Sequence, residues 1–210
     1  MARPTQQEMR KALEQRQGKE LTAKFASSVV AICGLGGLGS NIAIALARAG
    51  VGRLILIDFD QVEASNLHRQ QYKADQVGMY KTEALTENLL EIAPYIRLTR
   101  FSCRVSPLNF ERLLADADII CEAFDHPEDK AMLTDGVLER MPEKYLIAAS
   151  GMAGMGPAND IVTRKVSEHF YVCGDGVSDV DAGIGLVAPR VMLCASHQAH
   201  TVLRILAGLE

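Results

Sequence analysis

The sequence lacks paired CxxC cysteines, an excess of basic residues and any long apolar run, and each absence argues against a class of protein. Its five cysteines are odd in number and scattered, which is typical of reduced thiols in a cytoplasm rather than of a disulfide framework. A net charge of -4 provides no basic face for nucleic acid. No stretch reaches the roughly 18 apolar residues of a membrane span, and the polar N-terminal segment does not resemble a signal peptide. We therefore expect a cytoplasmic protein without nucleic-acid or membrane partners.

The most informative stretch present is residues 29–60, which predict a βαβ unit. Five apolar residues at 29–33 are too few for a helix and indicate a buried strand. A glycine-rich turn follows, then a helical segment at 40–49, and then a second buried strand at 54–57. The usual handedness of such crossovers makes this a right-handed unit with two parallel strands.

The turn and the strand end of this unit predict a nucleotide site. The turn contains four glycines, Gly34, Gly36, Gly37 and Gly39. Glycines let backbone N–H groups approach a phosphate closely, and the positive end of the following helix lies behind them. Asp58 ends the second strand about 20 residues further on, where a carboxylate accepts hydrogen bonds from a ribose.

The rest of the chain predicts one domain with an N-terminal addition. Residues 1–28 are charged, favour helix and are divided by Gly18, which indicates an N-terminal helical arm outside the sheet. Residues 29–210 begin with alternating strands and helices, and then show two segments of strand-like alternation at 161–166 and 169–172. We therefore expect an α/β fold, a doubly wound, mostly parallel Rossmann-like sheet with a small antiparallel extension.

Charged and amide side chains that follow the predicted strands indicate which nucleotide is bound. They are Asp60, Asn66, Arg69, Lys81 and Asp125. A triphosphate requires cations that offset its charge and a carboxylate that holds magnesium. A nicotinamide dinucleotide requires only the glycine turn and one ribose acid, so an NAD-dependent dehydrogenase is an alternative that leaves these residues unexplained. No GxxxxGK[ST] motif occurs, which excludes a P-loop enzyme.

Five features together resemble the superfamily of ubiquitin-activating-like enzymes: GLGGLGS, AxAGVGxLxLxDFD, SNLxRQ, Lys81 and the aspartate after EAF. Within it, the sequence is similar to the ThiF/MoeB adenylyltransferases. The segments EAFDHPEDKAMLTD, AASGMAG and FYVCGD resemble the short family 2 branch of ThiF most.

This resemblance implies an activity and its partners. The activity is ATP-dependent adenylylation of the C-terminal glycine carboxylate of a ThiS-like ubiquitin-fold sulfur carrier, with release of pyrophosphate, in thiamine thiazole biosynthesis. A homodimer is expected, and a sulfurtransferase is a possible further partner. The alternatives are activation of another carboxylate, as in a tRNA threonylcarbamoyl dehydratase, and a non-catalytic nucleotide-binding partner protein.

The resemblance also implies residue roles. Asp58 holds the ribose hydroxyls, Gly36 and Gly37 allow the phosphates to lie against the backbone, Asn66, Arg69 and Lys81 contact the phosphates, and Asp125 holds magnesium beside the reacting centre. Asp60 is expected to be structural.

Two departures from the family pattern matter. Longer members have two CxxC pairs for zinc; this chain has none, so we expect no zinc. The later loop that contains a cysteine in thiamine-type relatives is shortened, which leaves Cys173 in a predicted glycine-rich loop as the candidate thiol.

Overall fold

The computed structural model describes residues 3–180 and 183–210. In these ranges seven strands form one sheet, in the order β3-β2-β1-β4-β5-β7-β6. The strands are β1 (Val29–Cys33), β2 (Arg53–Ile57), β3 (Arg97–Phe101), β4 (Ile119–Glu122), β5 (Tyr145–Ala149), β6 (Val162–Lys165) and β7 (Phe170–Gly174). The helices are α1 (Gln6–Gln17), α2 (Lys19–Ser27), α3 (Gly37–Ala49), α4 (Lys81–Ile92), α5 (Phe110–Leu114), α6 (Pro127–Arg140) and α7 (Ala188–Ala207).

The strand order reverses at the centre of the sheet, between β1 and β4. Cys33, the last residue of β1, pairs with Ile57 of β2 on one side and with Glu122 of β4 on the other. The carboxyl ends of the three strands are therefore level, and the turns that follow them meet at one edge. Ligands of open α/β sheets bind at such a reversal point.

Apolar layers cover both faces of the sheet. Leu38, Ile42 and Leu46 of α3 belong to one buried cluster, which also includes residues of α4 and α7. Phe110 of α5 and Leu133 of α6 belong to the buried cluster that includes the opposite side chains of the central strands. Both faces are occupied because β1, β2 and β4 consist almost wholly of apolar residues, which suits a parallel sheet covered by helices on two sides.

The expected α/β architecture is confirmed, with one refinement in the extension. β7 pairs in parallel with β5, and only the edge strand β6 is antiparallel, through its pairing with β7. After β5 the chain first forms the edge strand β6 and then returns as β7, which lies between β5 and β6. In the β6–β7 hairpin, therefore, the second strand is the one that is parallel to the main sheet.

The helix after the glycine turn begins earlier than predicted. α3 starts at Gly37 rather than at residue 40, so the second half of the glycine motif forms the first turn of the helix. The first N–H groups of a helix have no acceptor within it, and the first such bond here is from the N–H of Ser40 to the carbonyl of Gly36 (3.0 Å).

The N-terminal arm forms two helices divided at Gly18, as predicted. α1 has no buried residue, whereas α2 buries Thr22 and Phe25, and Lys24 Nζ donates to the carbonyl of Ala207 at the end of α7 (3.3 Å). No helix in the described ranges has both the length and the apolar character of a membrane span.

Candidate functional site

A cleft of about 730 Å³ lies at the sheet edge where the turns after β1, β2 and β4 meet. Its volume falls in the range of about 300–1,000 Å³ that small-molecule and cofactor sites occupy. It is lined by most of the residues that the sequence predicts for a nucleotide site, namely Gly34, Gly36, Gly37, Asp58, Asp60, Arg69, Lys81 and Asp125.

The glycine turn places backbone against backbone. Gly34 has φ +91°, and a Cβ atom there would lie 2.6 Å from the carbonyl oxygen of Ala123, in the turn after β4. A Cβ on Gly39 would lie 1.8 Å from the oxygen of Gly34, so Gly39 allows α3 to pack on the turn and does not line the cleft. A Cβ on Gly36 would meet only Gln70 Nε2, at 3.8 Å, so this glycine leaves open space beside the N-terminus of α3. Such a helix N-terminus favours a bound anion.

In the turn after β2, Asp58 holds the glycine turn in place. Its Oδ2 accepts a hydrogen bond from the N–H of Leu35 (2.6 Å), and its Oδ1 accepts one from the N–H of Asp60 (2.8 Å). Burial raises the pKa of Asp58, although the nearby Lys81 ammonium and the two N–H groups act in the opposite direction. Each carboxylate oxygen keeps further acceptor capacity, so this geometry also permits a bond from a ribose hydroxyl.

Lys81, the first residue of α4, pairs with the second acid of this turn. Its Nζ lies 2.6 Å from Asp60 Oδ2, and its side chain is 8% exposed while that of Asp60 is 46% exposed. The backbone N–H of Lys81 also donates to the carbonyl of Asp60 (2.9 Å). Asp60 thus holds the Lys81 ammonium at the cleft, where a phosphate oxygen could take the place of the Asp60 carboxylate as its partner.

The segment between β2 and α4 brings Arg69 to the same cleft. Arg69 Nη1 donates to the carbonyl of Ser65 (3.3 Å), whereas its buried Nε has no hydrogen-bond partner within residues 3–180 and 183–210. The buried Oε1 of Gln70 likewise has none in these ranges. Buried polar atoms without partners are uncommon in folded proteins, and an ordered water or a bound group commonly satisfies them.

Asn66 lies further out than the sequence suggests. Its Oδ1 accepts from the N–H of Glu63 (3.1 Å) and caps the short 3-10 helix Ala64–Asn66. It lines a smaller neighbouring hollow of about 540 Å³, which shares Arg69, Lys81 and Asp125 with the main cleft. Asn66 is therefore placed beside the outer end of the cleft, next to the two cations.

The turn after β4 contains a buried ion pair beneath the exposed Asp125. Glu122 is fully buried, and its two carboxylate oxygens lie 3.0 and 2.8 Å from Lys130 Nζ of α6. Burial raises the pKa of Glu122, although Lys130 and the N–H of Phe124 lower it in part. Asp125 itself is 86% exposed, and its Oδ1 lies 3.9 Å from His126 Nε2.

The residues at this edge fit a magnesium ion that is bound chiefly by its nucleotide. Among the described residues, no group of three or more His, Cys, Asp or Glu side chains is arranged around a common metal position. Mg²⁺ usually keeps several waters and takes one or two protein carboxylates together with substrate phosphates. Asp125, an exposed carboxylate that lines the cleft, has the chemistry of such a ligand.

A second buried ion pair connects two loops that contribute Ala153 and Ser178 to the lining of the cleft. Arg190, near the start of α7, donates to the carbonyl of Ala153 (3.0 Å), the carbonyl of Gly156 (2.7 Å) and Asp175 Oδ2 (2.6 Å). Burial alone would raise the pKa of Asp175, but hydrogen bonds from the Ser178 and Val177 N–H groups and from Arg190 lower it well below its ordinary value. These bonds connect the loop after β5 with the loop after β7.

Cys173 lies elsewhere than expected. It is a fully buried residue of β7, not part of the glycine-rich loop, because pairing with β5 and β6 continues to the end of this strand. Burial raises the pKa of its thiol, and the thiol lies 3.5 Å from Thr163 Oγ1. Cys173 does not line the cleft.

Some residues at this edge were missed by reasoning from the sequence. Gln70, Glu122, Lys130 and Arg190 all line or support the cleft, but no site role was expected of any of them from the sequence. Gln70 follows Arg69 within the SNLxRQ motif, so the motif itself was a usable signal. For Glu122 the available signal was a charged residue at the end of an otherwise apolar strand, since a buried carboxylate requires a partner.

Comparison with known proteins identifies relatives that span most of the chain. Residues 9–210 match the model of the ThiF family. The Escherichia coli molybdopterin-synthase adenylyltransferase is 32% identical over 188 residues, which cover 86% of this chain and 74% of that protein. The adenylyltransferase and sulfurtransferase uba4 of Pyricularia oryzae is 37% identical over 204 residues, covering 90% of this chain and 40% of the relative. The chain thus spans less than half the length of relatives of the second kind.

The fold itself also occurs among solved structures. The E. coli tRNA N6-threonylcarbamoyladenosine dehydratase TcdA in complex with AMP matches with a TM-score of 0.85 and 21% identity, over 99% of this chain and 98% of that chain. E. coli MccB with ATP matches with a TM-score of 0.68 and 24% identity, over 90% of this chain and 59% of that chain. At these identities the similarity concerns the fold alone.

Proposed function

The chain belongs to the ThiF family, and on that premise we propose that it uses ATP to adenylylate the C-terminal glycine carboxylate of a ThiS-like ubiquitin-fold sulfur carrier. Pyrophosphate is the other product, and thiamine thiazole biosynthesis is the proposed context. The relatives support the broader part of this proposal, because they are named adenylyltransferases. The carrier and the pathway are proposed from the resemblance of the sequence motifs to the short family 2 branch of ThiF.

One observation supports the proposal most. The cleft is lined by the glycine turn, the cations of Arg69 and Lys81, and the exposed carboxylate of Asp125, all at one edge of the sheet. Arg69, Lys81 and Asp125 line the same cleft as Gly36 and Gly37 at the start of α3. A triphosphate needs this combination of positive charge and open backbone. An NAD-dependent dehydrogenase needs neither cation.

In the proposed reaction the protein has two tasks: it positions the carrier carboxylate next to ATP, and it offsets the negative charge of the phosphates. A carboxylate oxygen of the carrier attacks the α-phosphorus of ATP, the bond from that phosphorus to the bridging oxygen breaks, and the electron pair leaves with pyrophosphate. The nucleophile is already ionised at neutral pH, so no general base is needed. Catalysis then rests on holding the reactants together and offsetting the charge that develops on the phosphates.

Each proposed role corresponds to a side chain at the cleft. Arg69 and Lys81 bind the phosphates, and Lys81 exchanges Asp60 for a phosphate oxygen. Asp58 keeps the glycine turn open while accepting from the ribose, and Asn66 contacts the outer phosphates. Magnesium, held by Asp125 and the nucleotide, supplies Lewis-acid charge neutralisation when bound.

The proposal extends to partners. We place the protein as a homodimer by analogy with the family. A sulfurtransferase is a further partner in this proposal, since relatives such as uba4 of Pyricularia oryzae are named for both activities.

A second candidate is activation of a different carboxylate, such as the threonylcarbamoyl group of a modified tRNA. The fold match with TcdA extends over nearly the whole of both chains, which is the observation that favours it. The net charge of -4 disfavours an RNA substrate, because RNA binding relies on basic surface. A protein that binds nucleotide without catalysis is the third outcome of the test.

The test is ATP–pyrophosphate exchange in the presence of a ThiS-like carrier, a carrier of molybdopterin synthesis, or tRNA, followed by mass spectrometry of the carrier C-terminus. We expect exchange only with the ThiS-like carrier. Arg69→Ala should lower kcat/KM by roughly 10- to 100-fold, because a charge-assisted hydrogen bond contributes about 1.5–3 kcal/mol. Arg112→Ala, which removes an exposed arginine of α5 outside the cleft, is the matched control.

The outcomes separate the candidates. Exchange with tRNA alone would favour the dehydratase-like activity. ATP binding without exchange in every arm would favour a non-catalytic role. Unchanged exchange in Arg69→Ala would contradict the assignment of the site.

A further inference from the structure

The turn after β4 is held by an unusually complete set of side-chain contacts. Both backbone polar groups of Phe124 are bound: its N–H donates to Glu122 Oε1 (2.8 Å), and its carbonyl accepts from Lys130 Nζ (3.2 Å). The same Lys130 ammonium donates to both oxygens of Glu122 (3.0 and 2.8 Å). Glu122, Lys130 and the Phe124 backbone therefore form a closed ring of hydrogen bonds, which we call the β4 clasp.

Two neighbouring elements support the clasp. Gln198 of α7 donates from Nε2 to the carbonyl of Glu122 (2.9 Å) and to that of Ile147 in β5 (3.1 Å). The N–H of Ala123 donates to the carbonyl of Cys33 at the end of β1 (2.8 Å). The three residues from Glu122 to Phe124 are thus hydrogen-bonded to α6, α7 and the end of β1.

Asp125, the next residue, has no comparable attachment of its own. Its carboxylate is 86% exposed, and in residues 3–180 and 183–210 its ion-pair contact is the 3.9 Å approach of His126. An exposed side chain without hydrogen-bonded support has its position set by the backbone that precedes it. In this turn that backbone is the Phe124 peptide held by the β4 clasp.

We propose that Glu122 and Lys130 are positioning residues, which act through the Phe124 backbone to hold Asp125 at the mouth of the cleft. This inference rests on the proposed function, because it gives Asp125 a role in nucleotide activation. It gives two further residues a role in the reaction, which they exert through the backbone of Phe124.

A purely structural ion pair makes a different prediction. Removing it would lower stability, and activity would fall only in proportion to the fraction unfolded. Positioning predicts instead that the folded variant binds ATP normally but turns over slowly, because a displacement of about 1 Å can cost about 100-fold in rate.

The test compares Lys130→Met, Lys130→Arg and a control, Lys73→Met, in the full chain. Lys73 forms an ion pair with Glu91 (2.6 Å) on the exposed surface outside the cleft, so its loss removes a lysine–glutamate pair without touching the site. Three quantities are measured: kcat and KM for ATP in pyrophosphate exchange, the thermal shift produced by ATP with and without Mg²⁺, and hydrogen exchange at the Phe124 amide.

We expect Lys130→Met to lower kcat by about 100-fold, to keep the thermal shift due to ATP alone, to lose the additional shift due to Mg²⁺, and to exchange the Phe124 amide faster. Lys130→Arg should restore all three quantities, since a guanidinium can reach the same acceptors. If Lys130→Met does not fold, the double variant Glu122→Gln with Lys130→Met leaves no buried charge unpaired and is measured in its place.

A variant without the clasp that keeps the wild-type kcat and Mg²⁺-dependent thermal shift would overturn the inference. So would a loss of kcat that follows the unfolded fraction. If the wild-type protein shows no exchange with any substrate, the proposed function fails. The thermal shift and the Phe124 exchange rate then still decide whether the clasp positions Asp125.

Discussion

The turns after β2 and β4 are built alike but use their lysines differently. In each, a buried carboxylate accepts from the N–H two residues ahead: Asp58 from Asp60, and Glu122 from Phe124. In each, a more exposed aspartate lies just beyond the buried acid. After β2 the lysine pairs with the exposed acid, Asp60, whereas after β4 Lys130 pairs with the buried one, Glu122.

This difference decides which acid is available to a ligand. The Lys81 ammonium occupies Asp60, and the Asp58 oxygens hold the glycine turn. After β4, the buried pair satisfies itself and leaves Asp125 at 86% exposure. Asp125 is therefore available to a ligand because Lys130 is bound to Glu122, whereas Asp60 is not available while it is paired with Lys81.

The largest expected effect tests this contrast directly. Asp125→Ala should lower pyrophosphate exchange by about 100- to 1,000-fold, the typical cost of removing one preorganised electrostatic group. Asp60→Ala should cost about fivefold or less, since a partly exposed ion pair contributes about 1 kcal/mol at most. Exchange rates with circular dichroism as a folding control provide the measurement. Equal losses in the two variants would remove the distinction between the turns.

The next effect concerns the contact that joins the glycine turn to the turn after β4. Gly34→Ala should destabilise the fold by about 1–3 kcal/mol from the left-handed backbone alone, with the Ala123 contact adding to it. Gly36→Ala should leave the free energy of unfolding near that of the wild type and weaken ATP binding, because its Cβ points into open space at the cleft. Urea denaturation and calorimetric titration with ATP measure the two quantities. A large loss of stability in Gly36→Ala, together with normal stability in Gly34→Ala, would contradict these two assignments.

The smallest expected effect is the pH dependence due to Asp58. Asp58→Asn should cost about 1–3 kcal/mol, because an amide nitrogen then faces a backbone N–H that has lost its acceptor. Since the pKa of Asp58 is raised in the folded state, the native protein holds this proton to a higher pH than the unfolded chain does. The stability due to protonated Asp58 is thus fully present below the ordinary value of 3.8 and declines as pH rises through the raised pKa.

The destabilisation by Asp58→Asn should accordingly be larger near pH 4 than near pH 7. Urea denaturation of both proteins over this range measures it. A difference in the free energy of unfolding that does not change with pH would show that burial does not raise the pKa of Asp58.

Much of the site could be predicted from short-range pattern. The four-glycine turn and the two strands of the first βαβ unit follow from apolar runs and glycine spacing. Asp58, Arg69, Lys81 and Asp125 all reach the predicted edge. The position of Cys173 could not be predicted in this way, because the end of a strand depends on its pairing partners. The same holds for β7, whose parallel pairing with β5 is not encoded in its own alternation.

The sequence by itself determined the order of strands and helices, the glycine turn and the family, since these depend on residues close together in the chain. Only the tertiary structure decided which acid each lysine binds. Lys81 is 21 residues from Asp60 and Lys130 is 8 from Glu122, and in both cases the other acid of the turn was an equally plausible partner in sequence. The choice depends on how the helices pack over the carboxyl ends of β1, β2 and β4. Lys130 matches the fully buried Glu122, whereas the buried Asp58 is satisfied by two backbone N–H groups, which leaves Lys81 to pair with Asp60.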